Sequence, residues 1–203
     1  MNKDKKQPKA CADITSAPSV SAVSFSTVAS LKASLAPKKN SMVVAYVPDP
    51  PSLQALGLVA VRHGQLEYAL RMTIKSLTGL DVREALSETA YVGAKRLRER
   101  ILNMAKAKVA QSSDIENLAE LIDRSATVTQ RRNAVLHGLY VQEVDRKPML
   151  FENDAWRPVP TPDELNALAT EIATITQDIH EARLYGFLAK ALSFDSRWSD
   201  TSQ

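Results

Sequence analysis

The sequence predicts an all-α fold: an antiparallel bundle of four long helices plus a short helix, with a small β-hairpin-like insertion before the last helix. Three observations predict it. Apolar residues recur at helical spacing in several long stretches between residues 51 and 192. Most of those stretches begin or end on a residue suited to that role. Six glycines and 5% aromatic residues argue against an all-β sandwich.

The elements follow in order. Residues 1–50 are rich in Ser, Ala, Lys and Pro without a sustained period, and read as a disordered tail. Serines break up the apolar residues from Ser19 to Leu31, which argues against a secretion signal there. Val43 to Val47 suit a short extended segment ahead of the Pro48-Asp49-Pro50-Pro51 boundary. The folded part is expected over residues 51–192, with a polar tail at 193–203.

Proline is well placed in a first helical turn, so a helix is expected from Pro51, with Leu53, Leu56, Ala60, Leu66, Leu70, Ile74 and Leu77 as its stripe and Gly79 as its end. Asp81 is suited to cap a short helix reaching about Thr89. A third helix is predicted over residues 92–109, with Leu97, Ile101 and Met104 on one side and Lys95, Arg96, Arg98 and Arg100 around it. Ser112 or Ser113 caps a fourth, with Glu116 spaced for a capping box. Its stripe is Ile115, Leu118, Ile122, Ala126, Thr129 and Leu136, and Gly138 closes it. Residues 139–144 and 149–159 are richer in β-type residues around the turn signal Asp145-Arg146-Lys147-Pro148. Thr161-Pro162-Asp163-Glu164 opens the last helix with a cap, a proline and two acids; Leu165, Leu168, Ile172, Ile175, Ile179 and Leu184 carry it to about residue 192.

Charge and composition narrow the function. Residues 1–40 hold seven lysines and two aspartates, a surplus of +5; the rest holds 19 basic and 21 acidic groups, or −2. The basic excess belongs to the tail, so the folded part has no general polyanion-binding charge and any nucleic-acid contact must be local. The single Cys11 excludes an intrachain disulfide and a Cys-rich zinc site. No cofactor is expected, and His63, His137 and His180 are far apart in sequence, which argues against a structural metal. No stretch approaches the roughly 20 apolar residues of a membrane span. A cytoplasmic protein without membrane contact is the expectation.

One stretch concentrates chemistry: Arg131-Arg132-Asn133-Ala134-Val135-Leu136-His137-Gly138. A guanidinium binds phosphate with a planar fork of donors, and an imidazole moves protons near neutral pH. Asn133 and His137 are one helical turn apart and share a face. Arg132 lies about 140° from His137 around a regular helix, so their meeting needs an irregular terminus or a two-fold dimer. The plain alternative is a histidine that only complements the negative end of a helix.

The stretch resembles the HEPN domains (higher eukaryotes and prokaryotes nucleotide-binding), helical bundles marked by an Arg followed after four to six residues by His, often with a polar residue directly after the Arg. Arg132-Asn133-Ala134-Val135-Leu136-His137 fits that pattern with four intervening residues, including the polar Asn133. Gly138-Leu139-Tyr140, the hairpin and the final helix look like small bacterial members, and the likeness in helix order runs from about Ser52 to Leu192. The resemblance implies metal-independent RNA cleavage by a homodimer, leaving a 2′,3′-cyclic phosphate. His137 would act as general base or acid, Arg132 would stabilise the scissile phosphate, and Asn133 would position the ring or substrate. It also implies a toxin or defence effector, with a cognate antitoxin as a further partner. Other family members are adaptors or nucleotide binders, so a non-catalytic interaction or regulatory module is the alternative.

Secondary candidates are weaker. Arg131 and Arg96, the latter within the Lys95 to Arg100 run, are candidate substrate contacts, although such a run is more often a solvated face. Tyr140 is a candidate for stacking on a base, against a packing role at the base of the hairpin. His63 and Glu67 read as a structural pair, and His180 and Trp156 as structural residues.

Overall fold

The computed structural model describes residues 42–144, 146–152 and 154–192. The tail expected over residues 1–50 lies outside that range up to residue 41, as does the one at 193–203. The fold is predominantly helical. In chain order its elements are β1 (Val43–Ala45), α1 (Pro50–Thr78), α2 (Val82–Thr89), α3 (Ala94–Lys108), α4 (Ser112–His137), β2 (Leu139–Glu143), β3 (Met149–Glu152), β4 (Ala155–Pro158) and α5 (Pro162–Leu184).

The expected hairpin is a larger structure. Four strands form one antiparallel sheet in the order β1-β2-β3-β4, so the class is not purely α. The extended segment expected at Val43 to Val47 is β1, which pairs with β2 through Val43↔Glu143 and Ala45↔Val141. That pairing brings residues assigned to the tail back into the fold. It joins segments nearly 100 residues apart, which no local pattern announces. β2 and β3 pair through Leu139↔Phe151. Across β3 and β4 the Phe151 and Trp156 rings pack with centroids 4.7 Å apart.

Long helix α1 is the centre of the helical layer. It packs most extensively on α5 and also touches α2, α3 and α4. Its second half uses the expected stripe, with Leu66, Leu70, Ile74 and Leu77 buried. Its first half turns a different face inward: Ala55, Val59 and His63 are buried, while Leu53 is 47% exposed and Leu58 and Val61 are also exposed. Small side chains there allow close approach, and helical periodicity alone does not choose between the two faces. The inner faces of α3, α4 and α5 complete the core with Leu97, Ile101, Leu118, Ile122, Val128, Leu165, Ile172 and Ile175.

Most helix ends follow local chemistry. Asp49 caps α1 by accepting from Ser52 N at 2.9 Å, and Gly79 closes it in the left-handed region at φ 76°. Asp81 with Glu84, and Thr161 with Glu164, form reciprocal capping boxes. Helix α4 instead begins after Gln111 without a side-chain cap, so the expected Ser112 or Ser113 cap with Glu116 is absent. Helix α5 stops at Leu184 rather than near residue 192. Tyr185 and Gly186 turn the chain, and residues 187–192 are helical again. A Cβ on Gly186 would lie 2.9 Å from Ala182 Cα, so the turn requires glycine.

Candidate functional site

The exit from α4 builds the site. The helix runs to His137 and the chain enters β2 at Leu139 with Gly138 alone between them. Gly138 N donates to Ala134 O at 3.0 Å, closing the last helical turn. Its φ of −66° is ordinary, so freedom of rotation is not its purpose. A Cβ there would lie 2.5 Å from both Ala134 O and Leu150 Cδ1, so only glycine lets the helix end sit against β3. Tyr140 ties the same corner from the strand side, its hydroxyl donating to Val135 O at 2.7 Å. Burial raises the pKa of that phenol, which keeps the donated proton in place.

Arg132, Asn133 and His137 meet at this corner. Arg132 Nη1 donates to Asn133 Oδ1 at 2.9 Å and lies 3.2 Å from His137 Nε2. A guanidinium can only donate, so Nε2 is the accepting nitrogen and the ring proton sits on Nδ1. The angular separation expected on a regular helix is overcome inside one chain, because His137 is the final helical residue and the arginine stem is long. Asn133 orients the guanidinium, where the shared face had suggested that it orients the ring.

Two of these residues border open space. Asn133 and His137, with Gln130, Leu139, Phe151 and Glu152, line a cleft of about 560 Å³ between the end of α4 and the sheet. His137 and Asn133 are exposed, and Arg132 is half-buried behind them. The cleft also carries Asp154. Among the described residues, no group of three or more His, Cys, Asp and Glu side chains gathers in a way that holds a metal ion, and no helix is long and apolar enough to cross a membrane.

The other expected site residues are dispersed. Arg131 turns away from Arg132 and pairs with Glu171 of α5, lining a separate cavity with Arg157 and Leu165. Tyr140 serves the corner through its hydroxyl and does not line the cleft around His137. Arg96 is exposed on α3, and Arg98 two residues on is the member of that run that reaches α4.

Behind Arg132 lies a group that the motif does not contain. His63 of α1 is 2% exposed, with Nε2 3.3 Å from Thr129 Oγ1. Arg98 Nη1 donates to the same Thr129 oxygen at 3.2 Å. Glu67 Oε1 is 3.8 Å from His63 Nδ1, near enough for charge to act but too far for a hydrogen bond. Desolvation lowers the His63 pKa, and the Arg132 charge lowers it further against the opposing pull of Glu67. The signal available in the sequence was a histidine in register with Val59, Leu66 and Leu70 on a core face. A buried imidazole needs a hydrogen-bonding partner, and that partner comes from another helix.

No family model matches the chain, and neither a curated protein nor a solved structure matches it.

Proposed function

We propose that the protein is a HEPN-type endoribonuclease that cleaves RNA without a metal ion and acts as a homodimer of helical bundles. One observation carries this reading: Arg132 Nη1 bridges Asn133 Oδ1 and His137 Nε2 at the mouth of an open cleft. The motif and the helix order, which resemble that family, supply the reaction class.

The chemistry is an in-line transesterification. His137 Nε2, unprotonated in this arrangement, accepts the proton of a ribose 2′-hydroxyl as its oxygen attacks phosphorus. The bond from phosphorus to the 5′ oxygen breaks, and that oxygen takes a proton from an imidazolium. A 2′,3′-cyclic phosphate and a free 5′-hydroxyl result. Arg132 exchanges its contact with Nε2 for the phosphoryl oxygens, where charge builds up in the transition state. Asn133 holds the guanidinium at that position. One imidazole cannot be base and acid at the same moment, and a two-fold dimer would supply a second His137.

The test is cleavage of RNA in the presence of EDTA. The expected result is metal-independent cleavage that Arg132→Ala and His137→Ala each abolish. Cleavage that requires Mg²⁺, or that survives both substitutions, refutes the reading, as does a monomer at working concentration.

A second reading is a non-catalytic interaction or regulatory module. It is favoured by the carboxylate residues Glu152 and Asp154 in the lining of the same cleft, which disfavour a polyanion. Harmless expression of a stable dimer that leaves RNA intact selects this reading. Growth arrest on induction, relieved by His137→Ala, selects the enzyme and makes a cognate antitoxin the next partner to seek.

A further inference from the structure

Several arginines of the helical layer are paired with carboxylates, whereas Arg183 reaches only the His180 ring. Arg71 has Glu67 at 3.6 Å, Arg124 has Asp178 at 2.8 Å, and Arg131 is paired with Glu171. Arg98 and Arg132 are half-buried, and neither pairs with a carboxylate among the described residues. Arg98 makes its hydrogen bond to Thr129 Oγ1, and Arg132 Nε is buried with no partner.

The two guanidinia are drawn to one place. Thr129 stands one helical turn before Arg132. Its hydroxyl proton is committed to Ser125 O at 2.7 Å, so Thr129 Oγ1 accepts from Arg98 and from the His63 ring together. His63 Nε2 is therefore a donor, and the ring offers the cations no acceptor on that side. Glu99 and Glu67 are the carboxylates that act on Arg98, and Arg71 shares Glu67. Both cations act on the buried His63 ring and therefore on each other, and partial desolvation sharpens their repulsion. An anion between them reverses the sign of that interaction.

We propose that Arg98, held by Thr129, forms with Arg132 a phosphate-binding subsite that takes the RNA backbone next to the scissile group. The subsite rests on the ribonuclease reading only for the identity of its occupant as an RNA phosphodiester. It explains how a folded part with no overall basic charge engages a polyanion: through a local pair of forks rather than a basic surface. Arg98 is a binding residue here, and Thr129 is a positioning residue that acts through it.

Binding is measured apart from cleavage with a fully 2′-O-methylated RNA oligonucleotide, which keeps its phosphates and lacks the attacking hydroxyl. Fluorescence anisotropy over a range of salt compares the wild-type chain with Arg98→Gln, Arg98→Lys, Thr129→Val and the exposed-charge control Lys95→Gln. Arg98→Gln is expected to weaken binding about tenfold, the scale of one lost charge-assisted contact. It should also lower the salt slope by about 0.7, the value for one phosphate of a single strand. Arg98→Lys keeps the slope but loses affinity, because a point charge does not replace the fork. Thr129→Val falls between wild type and Arg98→Gln, and Lys95→Gln has a smaller effect than either.

Unchanged affinity and slope in Arg98→Gln overturn the subsite, even if wild-type cleavage depends on Arg132 and His137. Arg98-dependent binding by a protein that cleaves no RNA keeps the subsite and removes the nuclease. Should Arg98→Gln fail to fold, Arg98→Lys decides, and an undiminished affinity there overturns the proposal. Thermal stabilisation by inorganic pyrophosphate without oligonucleotide binding overturns the assignment to an RNA backbone.

Discussion

Two guanidinium–imidazole contacts stand near helix ends in this protein, and the contrast between them separates a site from a packing arrangement. Arg132 precedes its histidine by five residues and reaches Nε2 at 3.2 Å, at an exposed imidazole on the last residue of α4. Arg183 follows its histidine by three residues and reaches His180 Nδ1 at 3.1 Å, where both side chains are half-buried within the last turns of α5. Burial first, and the Arg183 charge second, lower the His180 pKa. The chemical groups are the same. What differs is the third partner and the exposure: Asn133 steadies the first guanidinium and His137 is exposed, whereas His180 is half-buried although it too borders a cleft, of about 530 Å³.

The sharpest way to break the comparison is to remove each imidazole in turn. His137→Ala should lower RNA cleavage by about a hundredfold or more, the range of a lost general acid–base group. His180→Ala should leave it within about twofold. Initial rates on one RNA substrate measure both, and equal losses would erase the distinction.

The two glycines at these helix ends give the next largest effect. Gly138→Ala forces a methyl group against Ala134 O and Leu150, and should cost about 1–3 kcal/mol of stability together with activity. Gly186→Ala forces one against Ala182 and should cost stability alone. Urea unfolding set beside cleavage assays separates the two outcomes.

Acid sharpens the contrast further. His63 and His180 have folded pKa values below the ordinary 6.5, so the unfolded chain binds protons that the folded chain refuses. Their contribution to stability is complete above that value and is lost as pH falls below it. His180→Gln should flatten part of this decline, read as the shift in urea midpoint between about pH 7.5 and pH 5.5. An unaltered decline in both His180→Gln and His63→Gln would remove the two rings as its cause.

The smallest effect concerns the helix starts. Helix α5 has a complete capping box and α4 has no side-chain cap. Thr161→Ala should therefore destabilise by about 1 kcal/mol, and Gln111→Asp should stabilise by roughly half as much. Thermal unfolding measures both, and neither change should move cleavage.

The legibility of the sequence varied with the range of the cause. Caps at Asp81 and Thr161, the stop at Gly79 and the second half of the α1 stripe are local chemistry, and they stand where residue order places them. The first half of α1 was not legible, because Leu53 and Leu56 compete with Ala55 and Val59 for the same period. The break at Tyr185 and Gly186 was missed for a related reason: apolar spacing continues across it through Leu188 and Leu192. Of the candidate site, Arg132, Asn133 and His137 were legible as a motif. His63, Arg98 and Thr129 were each visible, in a pair, a basic run and an apolar stripe, but their meeting was not, since each belongs to a different helix.

Residue order by itself determined most of the helical segments and which three side chains stand together at the end of α4, because both depend on neighbours within a turn or two. Only the tertiary structure decided that Arg98 reaches Thr129, that Arg131 leaves for Glu171, and that β1 joins the sheet. Those outcomes depend on where a long side chain or a distant strand finds its partner. Packing between helices fixes that position, and spacing along the chain does not.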